Sequence, residues 1–295
     1  MKQSVSNKIF SVCNVFFFLI LAFAMIFPLY KVFITSIISV AEYYASPLVM
    51  WPKNPNIEAY KFIFSNNEVL TAARVTVTIT LFGTFLSMLV TLTLSYALSK
   101  SFLPGGKIIH RFILFTMFLD TGLIPFFLMV RSLNLNDKIV VNIFPVLVSL
   151  WNYLVIRSFF RQLPASLEEA ALIDGAGWFT VFFRIVLPIS MPVVAAFTLF
   201  YAVGYWNTWW YAMLFCNDNK NLQTLQLFLR RLIVTNGGVD GMRSSYAELP
   251  GARSGLYTES IKMACCVIAT VPILAVYPFL QRHFTKGVLI GAIKG

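Results

Sequence analysis

Charge is the scarcest commodity in this chain. Asp, Glu, Lys and Arg make up 12% of the residues, where a soluble globular domain carries about 25%. That shortage excludes an ordinary soluble fold. Acidic residues are the scarcer sign, 12 against 23 Lys and Arg, for a net charge of +11. In a soluble protein this excess would point to nucleic acid. Here the basic residues flank apolar runs and no basic stripe with interleaved aromatics stands clear of them, so no nucleic-acid partner is expected and positive-inside placement explains the excess. Cysteine is limited to Cys13, Cys216, Cys265 and Cys266. With no C-x-x-C and no Cys/His ligand spacing, neither a disulfide framework nor a metal site is expected. His110 and His283 lack ligand partners in sequence, and no carboxylate pair is set out for hydrolysis, so no catalytic residue is assigned. A G-x-x-x-x-G-K-[ST] loop is also missing. Gly105-Gly106-Lys107-Ile108 has the wrong spacing and no hydroxyl after the lysine, so the chain has no such cradle for nucleotide phosphates.

Apolar length is what the chain has instead. Hydrophobic residues reach 58%, with 29 Phe, over 295 residues, the composition of a polytopic membrane protein. Six runs are long enough to span: about 9–38 (with Pro28 as a kink), 69–98, 110–130, 139–160, 185–215 and 256–280. The first is too long for a signal-peptide core and has no small-residue cleavage site, so it reads as a retained helix. The prediction is an all-α fold, one transmembrane domain over residues 1–295, with core helices 2–6 in about 69–281. Residues 39–67 are broken by Pro47, Pro52 and Pro55 and do not span. In the second run Thr76, Thr78, Thr80 and Thr84 offer hydroxyls to their own helix or to a neighbour. Lys and Arg gather at the N-terminus, in the Lys100–Arg111 turn, near Arg161 and in the tail, which puts these and both termini on the cytoplasmic side. Residues 216–256 then form an outer loop, and 282–295 an inner tail.

One stretch between spans breaks the apolar rule: SLEEAALIDGAGWFTVFFRIVLPISMP, Ser166 to Pro192. Glu168, Glu169 and Asp174 would each cost about 2.5–3.5 kcal/mol at a bilayer centre, so the segment is a structured loop at one membrane face. Ser166 and Glu169 have the S-x-x-E form of a capping box. Leu167, Ala170, Ala171 and Asp174 follow at helical spacing. Gly175-Ala176-Gly177 ends the helix, and a second run from Trp178 leads to Leu187-Pro188.

This pattern resembles the EAA loop of ABC-importer permeases, on Glu169, Ala170, Ala171, Asp174, Gly175, Ala176, Ile185, Leu187 and Pro188. The resemblance implies that residues 161–188 form a cytoplasmic coupling loop docked on a separate ATPase. Beyond the loop, the chain resembles the maltose-type carbohydrate permeases, the MalG-like half of the pair. TGLIP at Thr121–Pro125, YWNTWWYAMLF followed by LQTLQLFLRRLI, and the ending KGVLIGAIKG resemble the LplC/YtcP-like branch. The resemblance implies a bacterial plasma-membrane subunit working with a MalF-like permease chain, a dimeric ABC ATPase and an extracellular solute-binding protein. Its cargo would be a carbohydrate of the oligosaccharide class, with much of the selectivity in the binding protein and the other permease. ATP and Mg would sit on the ATPase, with no cofactor on this chain. Candidates for the substrate path are Asp120, Asn152, Tyr205, Trp206 and Asn207. Asp120 reads either as a lining contact or as a structural hydrogen bond to a helix 2 threonine or a partner subunit. The aromatics around Tyr205 and Trp206 suit either stacking on sugar or an interfacial belt. An ion-coupled carrier would need paired intramembrane carboxylates and matching broken helices in two halves. A membrane enzyme would need a catalytic constellation. Neither is visible in the sequence.

Overall fold

The computed structural model describes residues 5–45, 49–65, 67–119, 121–216, 219–234 and 258–292. Among these residues all regular structure is helical. The chain divides into two compact units, Met1–Asn67 with Leu229–Pro272, and Glu68–Phe228 with Ile273–Gly295.

In the first unit, α1 (Val5–Ser36) runs through Pro28 without ending. Its apolar side chains, Phe16, Phe17 and Phe23 among them, are exposed, as suits a helix hydrophobic all round with lipid or a partner as its solvent. Two short helices, α2 (Val40–Ala45) and α3 (Glu58–Ser65), follow. The Ser36 and Tyr60 hydroxyls bond at 2.7 Å, and Ile34, Ile38, Phe62 and Ile63 are buried. Among its described residues the proline-broken stretch forms only these short helices and no candidate span.

The second unit is built on α4 (Asn67–Ser99), an unbroken 33-residue helix. Next come α5 (Gly106–Met117) and α6 (Leu123–Ser132). The expected continuous third helix is thus two helices: α5 ends at Met117, and Gly122 precedes α6 at φ +73°, a conformation foreign to a right-handed helix and open to glycine. Pro125 falls in the first turn of α6, where its missing N–H costs nothing.

The fourth run is not one helix either. Two 3-10 turns, Ile139–Asn142 and Phe144–Val146, precede α7 (Leu150–Gln162), and the two parts meet at 50°. Ser149 restarts the helix as its N-cap, accepting from the Asn152 N–H at 3.4 Å. After α8 (Ala165–Ile173) comes the fifth run: α9 (Trp178–Val181), a π turn over Phe182–Val186, α10 (Leu187–Ile189), α11 (Met191–Trp206) and α12 (Trp210–Phe215). It bends by 84° between Ile189 and Met191. Pro188 and Pro192 flank the bend; Pro188 has no N–H for the carbonyl four residues back, a standard cause of a π turn and a kink.

The predicted outer loop opens with a helix, α13 (Leu225–Val234), on which Leu225, Leu227, Phe228, Leu229 and Leu232 are buried. Residues 217, 218 and 235–256 of it lie outside the described residues. The last helix, α14 (Thr258–Ala292), does not stop near Leu280 but carries most of the predicted tail in helical form. Among the described residues three helices are long and apolar enough to cross a membrane, and counting each bent pair as one span gives up to five.

Candidate functional site

The coupling segment is α8 and the turn after it. Its start corrects the sequence reading. The helix begins at Ala165 with Pro164 at the N-cap and no side-chain cap, so Ser166 is already inside the first turn and no capping box forms. Proline fixes the entry in its place, since its own conformation and its effect on the preceding residue stop α7 from continuing. The helix end is as predicted. Gly175 takes φ +84°, its N–H bonds the Leu172 carbonyl at 3.0 Å, and the Ala176 N–H bonds the Ala171 carbonyl at 3.0 Å. This is a Schellman motif with glycine in the left-handed position.

The two neighbouring glutamates point to opposite environments. Glu169 is exposed, while Glu168 is 7% exposed. Glu168 is ion-paired with Lys100, just past the end of α4, through both carboxylate oxygens. The Tyr96 hydroxyl donates to the same carboxylate at 3.4 Å. The Lys100 ammonium lies 4.5 Å from the Tyr96 ring centroid, within cation–π range. Tyr96 in turn packs on Phe182 at 4.8 Å and edge-on to Phe160 at 5.9 Å. Beside the pair lies an apolar cavity of about 320 Å³ lined by Ala97, Phe102, Leu103, Trp178 and Phe179. Nothing in the sequence paired Lys100 with Glu168, because 68 residues separate them.

Two further bonds gather helices at this end of the bundle. Arg157 of α7 donates to the Leu98 carbonyl at 2.8 Å, one of the last carbonyls of α4, which have no partner inside their own helix. His110 of α5 and the Tyr153 hydroxyl of α7 bond at 2.9 Å.

Of the predicted coupling residues, Glu169, Ala170, Asp174 and Gly175 share exposure on and just after α8. Ala171, Ala176 and Leu187 are half-buried and pack against the core of Tyr96, Phe160 and Phe182. Pro188 is exposed at the bend. Two residues missed in the sequence join the exposed face: Ile173 at 86% exposure and Phe179 at 81%. No motif in the sequence singles them out, and only their positions on short helices reveal their exposure. A Cβ at Gly175 would meet nothing within 4 Å, so the turn also presents open backbone.

The predicted substrate-path residues differ in exposure and in partners. Tyr205 is 2% exposed; its hydroxyl bonds Ser87 at 2.7 Å and donates to the Ile143 carbonyl at 3.3 Å. Its ring fills the space over Gly83, where a Cβ would come within 2.7 Å. One turn earlier the Tyr201 hydroxyl bonds Thr91 at 2.9 Å and accepts from the Ser149 N–H at 3.0 Å. These bonds join α4, α11 and the start of α7. Asn152 is buried on α7. Trp206 is half-buried and Asn207 exposed; the Asn207 side-chain oxygen accepts from the Gln226 amide at 3.2 Å. Asp120 lies outside the described residues. Of the helix 2 threonines, Thr78 bonds back to the Arg74 carbonyl at 2.9 Å and Thr76 accepts from the Leu225 N–H at 2.8 Å. The Thr80 and Thr84 hydroxyl oxygens are buried without a hydrogen-bond partner among the described residues.

No protein-family model matches the chain. Individual proteins do. The polygalacturonan/rhamnogalacturonan transport system permease protein YtcP of Bacillus subtilis (strain 168) is 37% identical over 98% of this chain and 99% of its own length. Protein LplC of the same organism is 38% identical over 100% of this chain and 98% of its own. A crystal structure of a bacterial ABC transporter involved in the import of the acidic polysaccharide alginate contains a chain that matches with a TM-score of 0.85 and 28% identity, covering 96% of this chain and 99% of that one. The chain belongs to the maltose-type carbohydrate permeases of ABC importers, the membrane proteins that include YtcP and LplC.

Proposed function

We propose that this chain is the MalG-like permease subunit of an ABC importer for oligosaccharides, moved by an ATPase docked on α8. The observation that carries the reading is α8 itself: an exposed helical face of Glu169, Ala170 and Ile173, ended by the open Gly175 turn, within a chain related along its whole length to sugar permeases. Such a face, short and fixed at both ends, suits a socket on another subunit.

The whole chain then works as one permease domain in the bacterial plasma membrane. It crosses six times, with the broken α5–α6 pair as the third span. Both termini lie inside, and residues 161–188 face the cytosol. Residues 216–256 reach toward an extracellular solute-binding protein, and 282–295 toward the ATPase dimer. A MalF-like chain completes the path. ATP and Mg belong to the ATPase, and this subunit has no catalytic role. Transport follows alternating access: closure of the ATPase dimer displaces α8, and the loaded binding protein biases the same equilibrium from outside, a reciprocal coupling. The relatives support a cargo made of linked sugars: YtcP is named for polygalacturonan and rhamnogalacturonan, and the permease AraQ of the same organism for arabinooligosaccharides.

Gly175→Asp tests the docking. The space around the Gly175 Cβ position is open in this chain, so the variant inserts and folds, with backbone strain of about 1 kcal/mol. The expected result is loss of the co-purifying ATPase and loss of uptake in vesicles. Wild-type uptake by Gly175→Asp would remove α8 from the ATPase contact.

A further inference from the structure

We propose that Lys100 and Glu168 are positioning residues that fasten α8 to the end of α4, so that a displacement of α8 is delivered directly to that span. The inference rests on the docking reading and deepens it. By covalent connection alone, α8 would pull only on α7, through Leu163-Pro164, and on α9, through the Gly175 turn. Glu168 adds a third attachment to a helix distant in sequence. It lies outside the residues that carry the EAA resemblance.

The geometry makes this attachment stiff. Glu168 faces inward while Glu169 and Ala170 face outward, so the pair sits behind the docking face and not on it. Its side chain is 9% exposed and that of Lys100 is 17% exposed. A carboxylate so enclosed depends on its cation, because a buried charge without a partner is strongly unfavourable. Sliding α8 by one residue along α4 would separate the two charges beside the apolar surfaces of Phe182, Trp178 and Phe102. The Tyr96 hydroxyl and ring engage both members of the pair, which fixes its direction as well as its length. The Arg157 bond to the Leu98 carbonyl clamps the same end of α4 to α7. A push on α8 therefore moves the inner ends of α4, α7 and α8 as one block, and α4 carries the motion into the middle of the bundle through Ser87–Tyr205 and Thr91–Tyr201.

The test uses the complete importer in vesicles, with partner permease, ATPase and binding protein. The cargo is whichever labelled galacturonate, rhamnogalacturonate or malto-oligosaccharide the wild type takes up. Lys100→Met and Glu168→Gln are each expected to keep the ATPase bound and hydrolysing, while sugar moved per ATP falls at least tenfold. The exchange Lys100→Glu with Glu168→Lys is expected to recover uptake per ATP to within threefold of wild type, and Lys100→Arg to within twofold. Should a single variant fail to accumulate, the exchange and Lys100→Arg decide. Wild-type uptake per ATP in both single variants, an exchange no better than the single variants, or release of the ATPase by Glu168→Gln would each overturn the tether. A wild-type complex without any ATPase would instead sink the docking reading, so the two failures are separable.

Discussion

The C-terminal end of α4 and its middle are held by different chemistry. At the C-terminal end the contacts are ionic or charge-assisted: Lys100 to Glu168 and Arg157 to the Leu98 carbonyl. In the middle they are neutral: Ser87 to Tyr205 and Thr91 to Tyr201. The division follows from what each depth tolerates. A charge at the bilayer centre costs about 2.5–3.5 kcal/mol on insertion scales, whereas hydroxyl pairs join helices there at little cost and modest gain. Near the boundary a charge pair can form, and its enclosure makes it directional and hard to stretch. The middle of the helix is thus a joint that can repack, and the C-terminal end is a clamp.

This contrast can be broken from either side. The largest effect is expected at the clamp. Lys100→Met leaves the Glu168 carboxylate enclosed without its cation, and the loss is about 3 kcal/mol, read as a lowered midpoint of thermal unfolding in detergent. Glu168→Gln, which removes the charge itself, should cost less than Lys100→Met; the reverse order would mean that the pair is not enclosed. The next effect belongs to the middle. Gly83→Ala puts a methyl within 2.7 Å of the Tyr205 ring, and such overpacking costs about 1–3 kcal/mol. The smallest is Tyr205→Phe, which deletes one neutral interhelical hydroxyl and should cost about 0.6 kcal/mol. A Tyr205→Phe loss equal to that of Lys100→Met would erase the distinction between clamp and joint.

The long helices were legible because length and apolarity alone define them: α1 and α4 lie within a few residues of their predicted bounds. The breaks in the third, fourth and fifth runs were not, although Gly122, Pro145, Pro188 and Pro192 stood in view. Proline and glycine occur in transmembrane helices without ending them, because neighbouring groups can satisfy the freed backbone. Pro28 inside α1 shows the tolerant outcome and Pro188 the other. In the coupling loop, Gly175 declared the turn because a helix end of this type needs φ above zero. Ser166 misled, since S-x-x-E describes spacing and not where the helix begins. The Lys100–Glu168 pair needed the fold, and so did the burial of Tyr205, whose aromatic neighbourhood fits a sugar path as readily as a packed joint.

Where α8 points and what covers it decide whether it couples to an ATPase. In a Cys13→Ser background, Ala170→Cys places a thiol on the exposed face of α8, where a membrane-impermeant maleimide can report it. The predicted result is labelling from the cytoplasmic side alone, with protection when the ATPase is bound. Labelling from the outside, or equal labelling with and without the ATPase, would contradict it.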